Sequence, residues 1–270
     1  IIEGVNMWKN KKIFILGMAR SGYEAAKLLA KKNNRVLITD LKEQDKDHVK
    51  ELKALGVEYV ITNEPELIFD NSYDLVVKNP GINKEHPVVI KAKELNIPVI
   101  NEVEVAYHYL PKDITIIGIT GSNGKTTTTT IIYEILKAAG KAVHIAGNIG
   151  FPLCSFVNKI KAGDILVIEI SSHQLVDFDQ FKTGIAVLTN LSETHLDFFN
   201  TYDNYIKNKG RIFKYHTKDN LAIINKNNYD SLLLTKKIVS NKKYFSVSDK
   251  ADCYLDNNVI YYNNEEIIKL

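Results

Sequence analysis

The sequence predicts an α/β protein built from two successive parallel sheets. Short apolar, β-branched runs alternate with helically patterned stretches along most of the chain, and a glycine-rich turn follows the opening strand of each series. The 270 residues suffice for two domains of about 100–200 residues each, expected at 1–110 and 111–270.

In the first domain KKIFILG (11–17) reads as a short buried strand ending in Gly17. Ala25, Ala26, Leu28, Leu29 and Ala30 then suit one side of a helix. RVLITD (35–40) is a second strand closed by Asp40, and Val49, Leu52 and Leu55 recur at helical spacing. Residues 73–77 form another strand before the turn Asn79-Pro80-Gly81. A helix over 88–95 and a strand over 97–100 follow. In the second domain DITIIGIT (113–120) is a buried strand, GSNGKTT follows it, and a helix is expected over 127–139. KAVHIAG, DILVIEI, GIAVLTN and NLAIIN are further strands. Beyond about residue 236 the pattern becomes KKYFSV, DCYL, NVIYY and EIIKL, which predicts a small antiparallel β appendage.

Apolar residues make up 45% and charged residues 25%, so a packed core is expected and extended disorder is not. A net charge of +3 points to neither nucleic acid nor a membrane surface. Cys154 and Cys253 form no CxxC pair and are expected as reduced thiols of a cytoplasmic protein. No apolar run reaches the roughly 18 residues of a membrane span, and no signal peptide is visible. The chain opens at Ile1 without an initiator Met, so a fragment boundary is expected there.

The strongest motif is Gly118-Ile119-Thr120-Gly121-Ser122-Asn123-Gly124-Lys125-Thr126-Thr127, which fits G-x-x-x-x-G-K-[ST] between a buried strand and a helix. Gly121 and Gly124 let the backbone of Gly121, Ser122, Asn123, Gly124, Lys125, Thr126 and Thr127 curl so that N–H groups face phosphate oxygens. The helix start adds the positive end of its dipole. Lys125 can reach the terminal phosphates, and the Thr126 hydroxyl can bind Mg²⁺. The second domain is therefore expected to be P-loop NTPase-like and to take a nucleoside triphosphate. The loop does not say what receives the phosphate. Glu169, at the tip of its strand, is placed to hold Mg²⁺ directly or through water. His195 lies just past another strand. Lys209 reads locally as a surface lysine, with nothing to single it out over Lys207.

GITGSNGKTT, AGNIG (146–150), IEISSHQL (168–175), NLSETHLDFF (190–199) and the segment 205–212 stand in the order and spacing of the Mur ligases. The sequence resembles that family over roughly residues 11–270. Ser122, Asn123 and the SSHQL segment favour its D-glutamate-adding branch. The resemblance implies peptidoglycan precursor synthesis in the cytoplasm by a monomer. ATP would phosphorylate the carboxylate of UDP-N-acetylmuramoyl-L-alanine, and the amine of D-glutamate would attack the acyl phosphate. It further implies catalytic roles for Lys125, His195 and Lys209. Thr126, Glu169, His195 and a carbamylated Lys209 would be metal ligands, and Asn148 and His195 would contact substrate. Two residues depart from the family's usual pattern: His173 stands where Phe is common, and Thr194 stands where Asp is common.

Gly17-Met18-Ala19-Arg20-Ser21-Gly22 resembles G-x-G-x-x-G, with Asp40 about 20 residues on. A dehydrogenase would fit, but the Cβ of Ala19 would crowd a pyrophosphate against the backbone. The resemblance instead implies a Rossmann-like domain for the UDP end of the substrate, with Ser21 at the diphosphate and Asp40 and Gly81 near the uridine. The alternatives are another Mur-type ligase (L-alanine-adding), a folylpolyglutamate synthetase, or a nucleotide-binding module without turnover. Family members continue beyond the position of Leu270, so this piece is expected to bind substrate but ligate poorly.

Overall fold

The computed structural model describes residues 8–270. Two compact units comprise residues 8–111 with 151–161 and 177–179, and residues 112–150, 162–176 and 180–270. The first seven residues of the expected N-terminal domain lie outside the described residues. Among the described residues no helix is long and apolar enough to cross a membrane.

The first unit runs β1 (Lys12–Leu16), α1 (Arg20–Lys31), β2 (Arg35–Asp40), α2 (Lys46–Ala54), β3 (Glu58–Ile61), β4 (Leu75–Lys78), α3 (Pro87–Glu94), β5 (Val99–Ile100) and α4 (Glu102–Tyr107). Its sheet is parallel throughout, in the order β3-β2-β1-β4-β5. The order reverses between β1 and β4, so the crevice beyond their carboxyl ends is where such sheets take ligands. Sequence reading passed over β3, whose EYVI is half exposed on an edge strand and so lacks an apolar run. Asp45 caps α2 and Asn101 caps α4, while Pro87 sits in the first turn of α3. Phe14, Phe69 and Tyr73 form an aromatic core with ring centroids 5.2–5.4 Å apart. A Cβ on Gly22 would lie 2.0 Å from the carbonyl oxygen of Gly17, so only glycine lets α1 pack this closely on the turn after β1.

Buried carboxylates explain why two later segments return to this unit. Glu102 is 4% exposed and accepts from the backbone N–H of Cys154, while the fully buried Glu104 accepts from the N–H of Asp179 at 3.0 Å. Asp177 forms a buried 2.7 Å ion pair with Lys78 at the end of β4. Burial pushes the Glu102 carboxyl up to about 7, although the Cys154 N–H and thiol pull the other way. Burial, and then Glu102, pushes the Cys154 thiol well above the ordinary cysteine range. Both cysteines are free thiols.

The second unit runs β6 (Thr115–Thr120), α5 (Lys125–Ala138), β7 (Val143–Gly147), β8 (Ile165–Glu169), α6 (Ser172–Val176), β9 (Ile185–Leu188), α7 (Leu196–Phe199), α8 (Tyr202–Lys209), β10 (Leu221–Asn225), α9 (Tyr229–Thr235), β11 (Asn241–Ser246), β12 (Cys253–Asp256), β13 (Val259–Tyr262) and β14 (Glu265–Lys269). They form one nine-stranded sheet, β14-β13-β12-β11-β10-β9-β6-β8-β7. The expected antiparallel strands are present, and one of the four segments assigned to them pairs otherwise. KKYFSV (β11) pairs parallel with β10, because α9 supplies the crossover that a parallel pair needs. The antiparallel hairpins of β12, β13 and β14 continue the same sheet beyond β11. Asn257-Asn258 and Asn263-Asn264 turn these hairpins with φ of 47–67°, a conformation asparagine tolerates.

Candidate active site

The phosphate loop leaves β6 at Thr120 and enters α5 at Lys125. Gly121 has φ 149°, and a Cβ there would meet Thr189 Oγ1 at 2.0 Å. The loop is gripped from the neighbouring β9 end. The N–H of Ser122 donates to the Asn190 carbonyl (2.9 Å) and that of Asn123 to Asn190 Oδ1 (3.0 Å). In this structure both amides pair with Asn190, that of Ser122 with its backbone carbonyl and that of Asn123 with its side chain. Gly124, the N-cap of α5, offers no side-chain cap, and the first turn of the helix comprises the amides of Lys125, Thr126 and Thr127.

Lys125 folds over the loop and donates to the carbonyls of Gly121 (2.9 Å) and Ser122 (2.8 Å). Burial holds its amine below the ordinary lysine range, with Glu169 acting in the opposite direction. Thr126 Oγ1 donates to Glu169 Oε2 at 2.7 Å, and Asn148 Nδ2 donates to Glu169 Oε1 at 2.7 Å. Glu169 ends β8, which pairs with β6, so strand register alone sets its carboxylate against the loop. The sequence-predicted Thr126, Glu169 and Asn148 are thus brought together.

Lys209 is 1% exposed, whereas Lys207 on the same helix is exposed. Its Nζ donates to Thr120 Oγ1 and to the Gly121 carbonyl, both at 2.9 Å. Burial first, then the charge of Lys125, pushes this amine down to about 7. The distinction between the two lysines, absent from local sequence, comes from the face of α8 that turns inward. His195 is an exposed residue in the left-handed region (φ 55°) at the start of α7. Its ring lies 4.9 Å from that of His173 and 6.4 Å from that of Tyr205. His173 also packs on Phe198 and Phe199, taking an aromatic place.

Sequence reading missed Tyr205, Thr189, Asn190 and Asn228. Tyr205 OH lies 2.9 Å from Ser122 Oγ, and Lys209 Nζ is 5.5 Å from its ring centroid. A signal was available, since Tyr205 stands four residues before Lys209 on one helix face. The asparagines gave none, because polar residues after a strand usually read as loop.

These donors fit Mg²⁺ and a triphosphate. A hydroxyl and a carboxylate are hard oxygen ligands, and a lysine and free helix-start amides face the same place. Among the described residues no three His, Cys, Asp or Glu side chains converge as a metal cage. That is compatible with Mg²⁺, which is commonly held by one or two protein oxygens together with phosphates.

In the first unit Ser21 lies in the first turn of α1, Asp40 is the last residue of β2, and Gly81 lies shortly after β4. All three therefore stand at the carboxyl edge of the sheet. Asp40 already accepts from the N–H of Met18 and of Leu41, each at 2.8 Å, so it staples the glycine-rich turn. The Gly81 N–H donates to Asn79 Oδ1 at 3.1 Å.

A parallel α/β unit with a phosphate loop and a strand-end acid, joined to a unit with its own glycine-rich turn, defines a nucleotide-binding enzyme class. Family models agree: the Mur ligase middle domain matches residues 119–270, and the MurD-like N-terminal domain of Mur ligases matches residues 11–101. The chain belongs to the Mur ligase family. It is 39% identical to the UDP-N-acetylmuramoylalanine–D-glutamate ligase of Geobacillus kaustophilus, over 100% of this chain and 60% of that ligase. It is 40% identical to the ligase of the same name from Streptococcus mutans, over 99% and 59%. The chain thus spans about 60% of the length of the curated relatives it matches. Among solved structures, a UDP-N-acetylmuramate:L-alanyl-γ-D-glutamyl-meso-diaminopimelate ligase from Neisseria superposes with TM-score 0.60 at 16% identity, covering 95% of this chain and 85% of that one. The UDP-N-acetylmuramate–alanine ligase of Thermotoga maritima gives 0.56 at 19%, covering 96% and 59%. These two likenesses establish the fold.

Proposed function

We propose that this chain is part of an ATP-dependent, cytoplasmic amide ligase that joins D-glutamate to UDP-N-acetylmuramoyl-L-alanine. The observation that carries the reading is the Thr126–Glu169 contact beside Lys125, in a chain similar over its whole length to ligases of that name. In this reading the alanyl carboxylate is phosphorylated to an acyl phosphate, the amine of D-glutamate attacks it, and phosphate leaves.

The first-turn amides of α5 and the Lys125 amine bind the triphosphate and offset its charge as it nears a second anion. Thr126 and Glu169 would hold Mg²⁺, which would neutralise the crowded oxygens. Asn148 fixes the Glu169 carboxylate through the 2.7 Å bond to its other oxygen. His195 and Lys209 would complete the metal-binding set, Lys209 as a carbamate: its buried amine would add CO₂ with loss of a proton, leaving an anion in place of the amine. Ser21, Asp40 and Gly81 bind the UDP end.

The test is phosphate release from ATP by the full-length protein with UDP-N-acetylmuramoyl-L-alanine and each candidate amino acid in turn, joined to calorimetric titration of this chain with the UDP compound. D-Glutamate-dependent release is expected. Release with L-alanine in place of D-glutamate would assign another branch, and heat with NAD but none with the UDP compound would overturn the assignment.

A further inference from the structure

Around the phosphate loop, three side chains each grip both backbone polar groups of a single residue. Asn190 accepts from the Asn123 N–H (3.0 Å) and donates to the Asn123 carbonyl (3.1 Å). Asn228 accepts from the Leu191 N–H and donates to the Leu191 carbonyl, both at 3.0 Å. Ser122 Oγ accepts from the Ser192 N–H (2.9 Å) and donates to the Ser192 carbonyl (3.0 Å). Thr189 Oγ1 adds a 2.6 Å bond to the Asn123 carbonyl.

We propose that Asn190 is a positioning residue for nucleotide binding: it clasps the backbone of Asn123 and, braced through Leu191 by Asn228, holds the phosphate loop in its binding shape before the ligand arrives. The inference rests on the reading of this loop as the triphosphate site. A carboxamide suits the task for two reasons. It matches one N–H and one carbonyl at once, which fixes the peptide planes on both sides of residue 123. It is also neutral, so it adds no charge where an anion must come. The N–H groups of Ser122 and Asn123 become fasteners, and those from Lys125 onward are left to the phosphates. Asn123 is exposed and flanked by Gly124, so nothing in the local sequence would otherwise keep one conformation.

The test measures binding of Mg²⁺ with the non-hydrolysable ATP analogue AMP-PNP by calorimetry, amide hydrogen exchange across residues 118–127 in the ligand-free chain, and the thermal midpoint. Asn190→Ala is expected to bind at least tenfold more weakly and to exchange the Asn123 amide, which loses its side-chain partner, about tenfold faster. A loop in its binding shape one tenth of the time binds ten times less tightly. The thermal midpoint should stay within about 3 °C, because the loop adds little buried area. Asn190→Asp has nearly the same volume but cannot donate to the Asn123 carbonyl, so it should weaken binding too; it keeps the measurement open if the alanine variant does not fold. Equal affinity in a variant and a binding wild type would overturn the inference alone. Weaker affinity with unchanged exchange would also overturn it, in favour of direct contact. A wild-type chain that takes no AMP-PNP would overturn the phosphate-loop reading, and the inference with it.

Discussion

The two glycine-rich turns of this chain occupy equivalent places, each between the first strand and first helix of its sheet, yet they are held by opposite chemistry. After β1 a carboxylate does the holding: Asp40 accepts from the Met18 N–H. Glu102 and Glu104 capture backbone N–H groups elsewhere in the same unit. After β6 the holding groups are neutral, namely the Asn190 carboxamide and the Thr189 hydroxyl. The acid near that loop, Glu169, is turned onto Thr126 instead. A carboxylate is the stronger acceptor for a buried N–H, but it repels phosphate and answers to pH. Neutral clasps are weaker singly and leave the electrostatics of the loop to Lys125 and the helix start.

Lys125→Ala is the largest expected break in this division of labour. In the full-length protein it should lower nucleotide-dependent phosphate release by about 100- to 1000-fold, the scale of losing one preorganised charge-stabilising group, while the circular dichroism spectrum stays unchanged. Wild-type release rates in this variant would end the phosphate-loop mechanism.

Glu102→Gln probes the acid-held unit. The Glu102 carboxyl sits at about 7 against the ordinary 4.5, so the folded chain binds its proton more tightly than the unfolded chain does. The stability this contributes is fully present below about pH 4.5 and is lost as the pH rises through about 7. Glutamine keeps an acceptor for the Cys154 N–H and never ionises. The variant should therefore gain up to ~3 kcal/mol over wild type at pH 8 and nothing at pH 4. Urea unfolding at both values measures this, and a gain independent of pH would remove buried ionisation as the cause.

Gly22→Ala and Gly121→Ala compare the turns directly. Each new Cβ would lie 2.0 Å from an atom, the Gly17 carbonyl oxygen in one case and Thr189 Oγ1 in the other. The Gly17 backbone oxygen cannot swing aside; the Thr189 hydroxyl can turn, which leaves the Gly121 Cβ in tight contact with the Asn190 backbone oxygen and nitrogen at 3.0 and 3.1 Å. Gly22→Ala should thus lose about 3 kcal/mol of stability. Gly121→Ala should lose about 1–2 kcal/mol, mainly as backbone strain, and most of its nucleotide affinity. Thermal unfolding of both variants, with nucleotide titration of the second, would reverse the comparison if Gly121→Ala proved the less stable.

Asp40→Asn is the smallest expected effect. The amide oxygen still accepts from Met18, so the stability cost should stay below about 1 kcal/mol, read from a denaturant midpoint. A larger loss would mean that charge, rather than acceptor geometry, holds the first turn.

Much of this was legible in the sequence, and the reasons are local. Apolar β-branched runs announced β1, β2, β6, β8, β9 and β10, since a strand buried on both faces needs little else. GxxxxGK[ST] announced the loop and, with it, Lys125 and Thr126. The losses were also physical. β3 is an edge strand, where polar residues interrupt the run, and α9 is a short helix whose YDSLLLT has little periodicity to read, so the parallel pairing of β11 that it permits went unforeseen.

The order of elements, the glycines that turns and close approaches demand, and the phosphate-loop chemistry follow from sequence alone, because each depends on residues within a few positions of one another. Tertiary structure alone separated the buried Lys209 from the exposed Lys207, set Glu169 against Thr126, and drew the Ser122 and Asn123 amides onto Asn190. Those outcomes depend on which residues meet across 40 to 90 positions of chain. That depends on strand order and helix orientation, and neither is written in any local pattern.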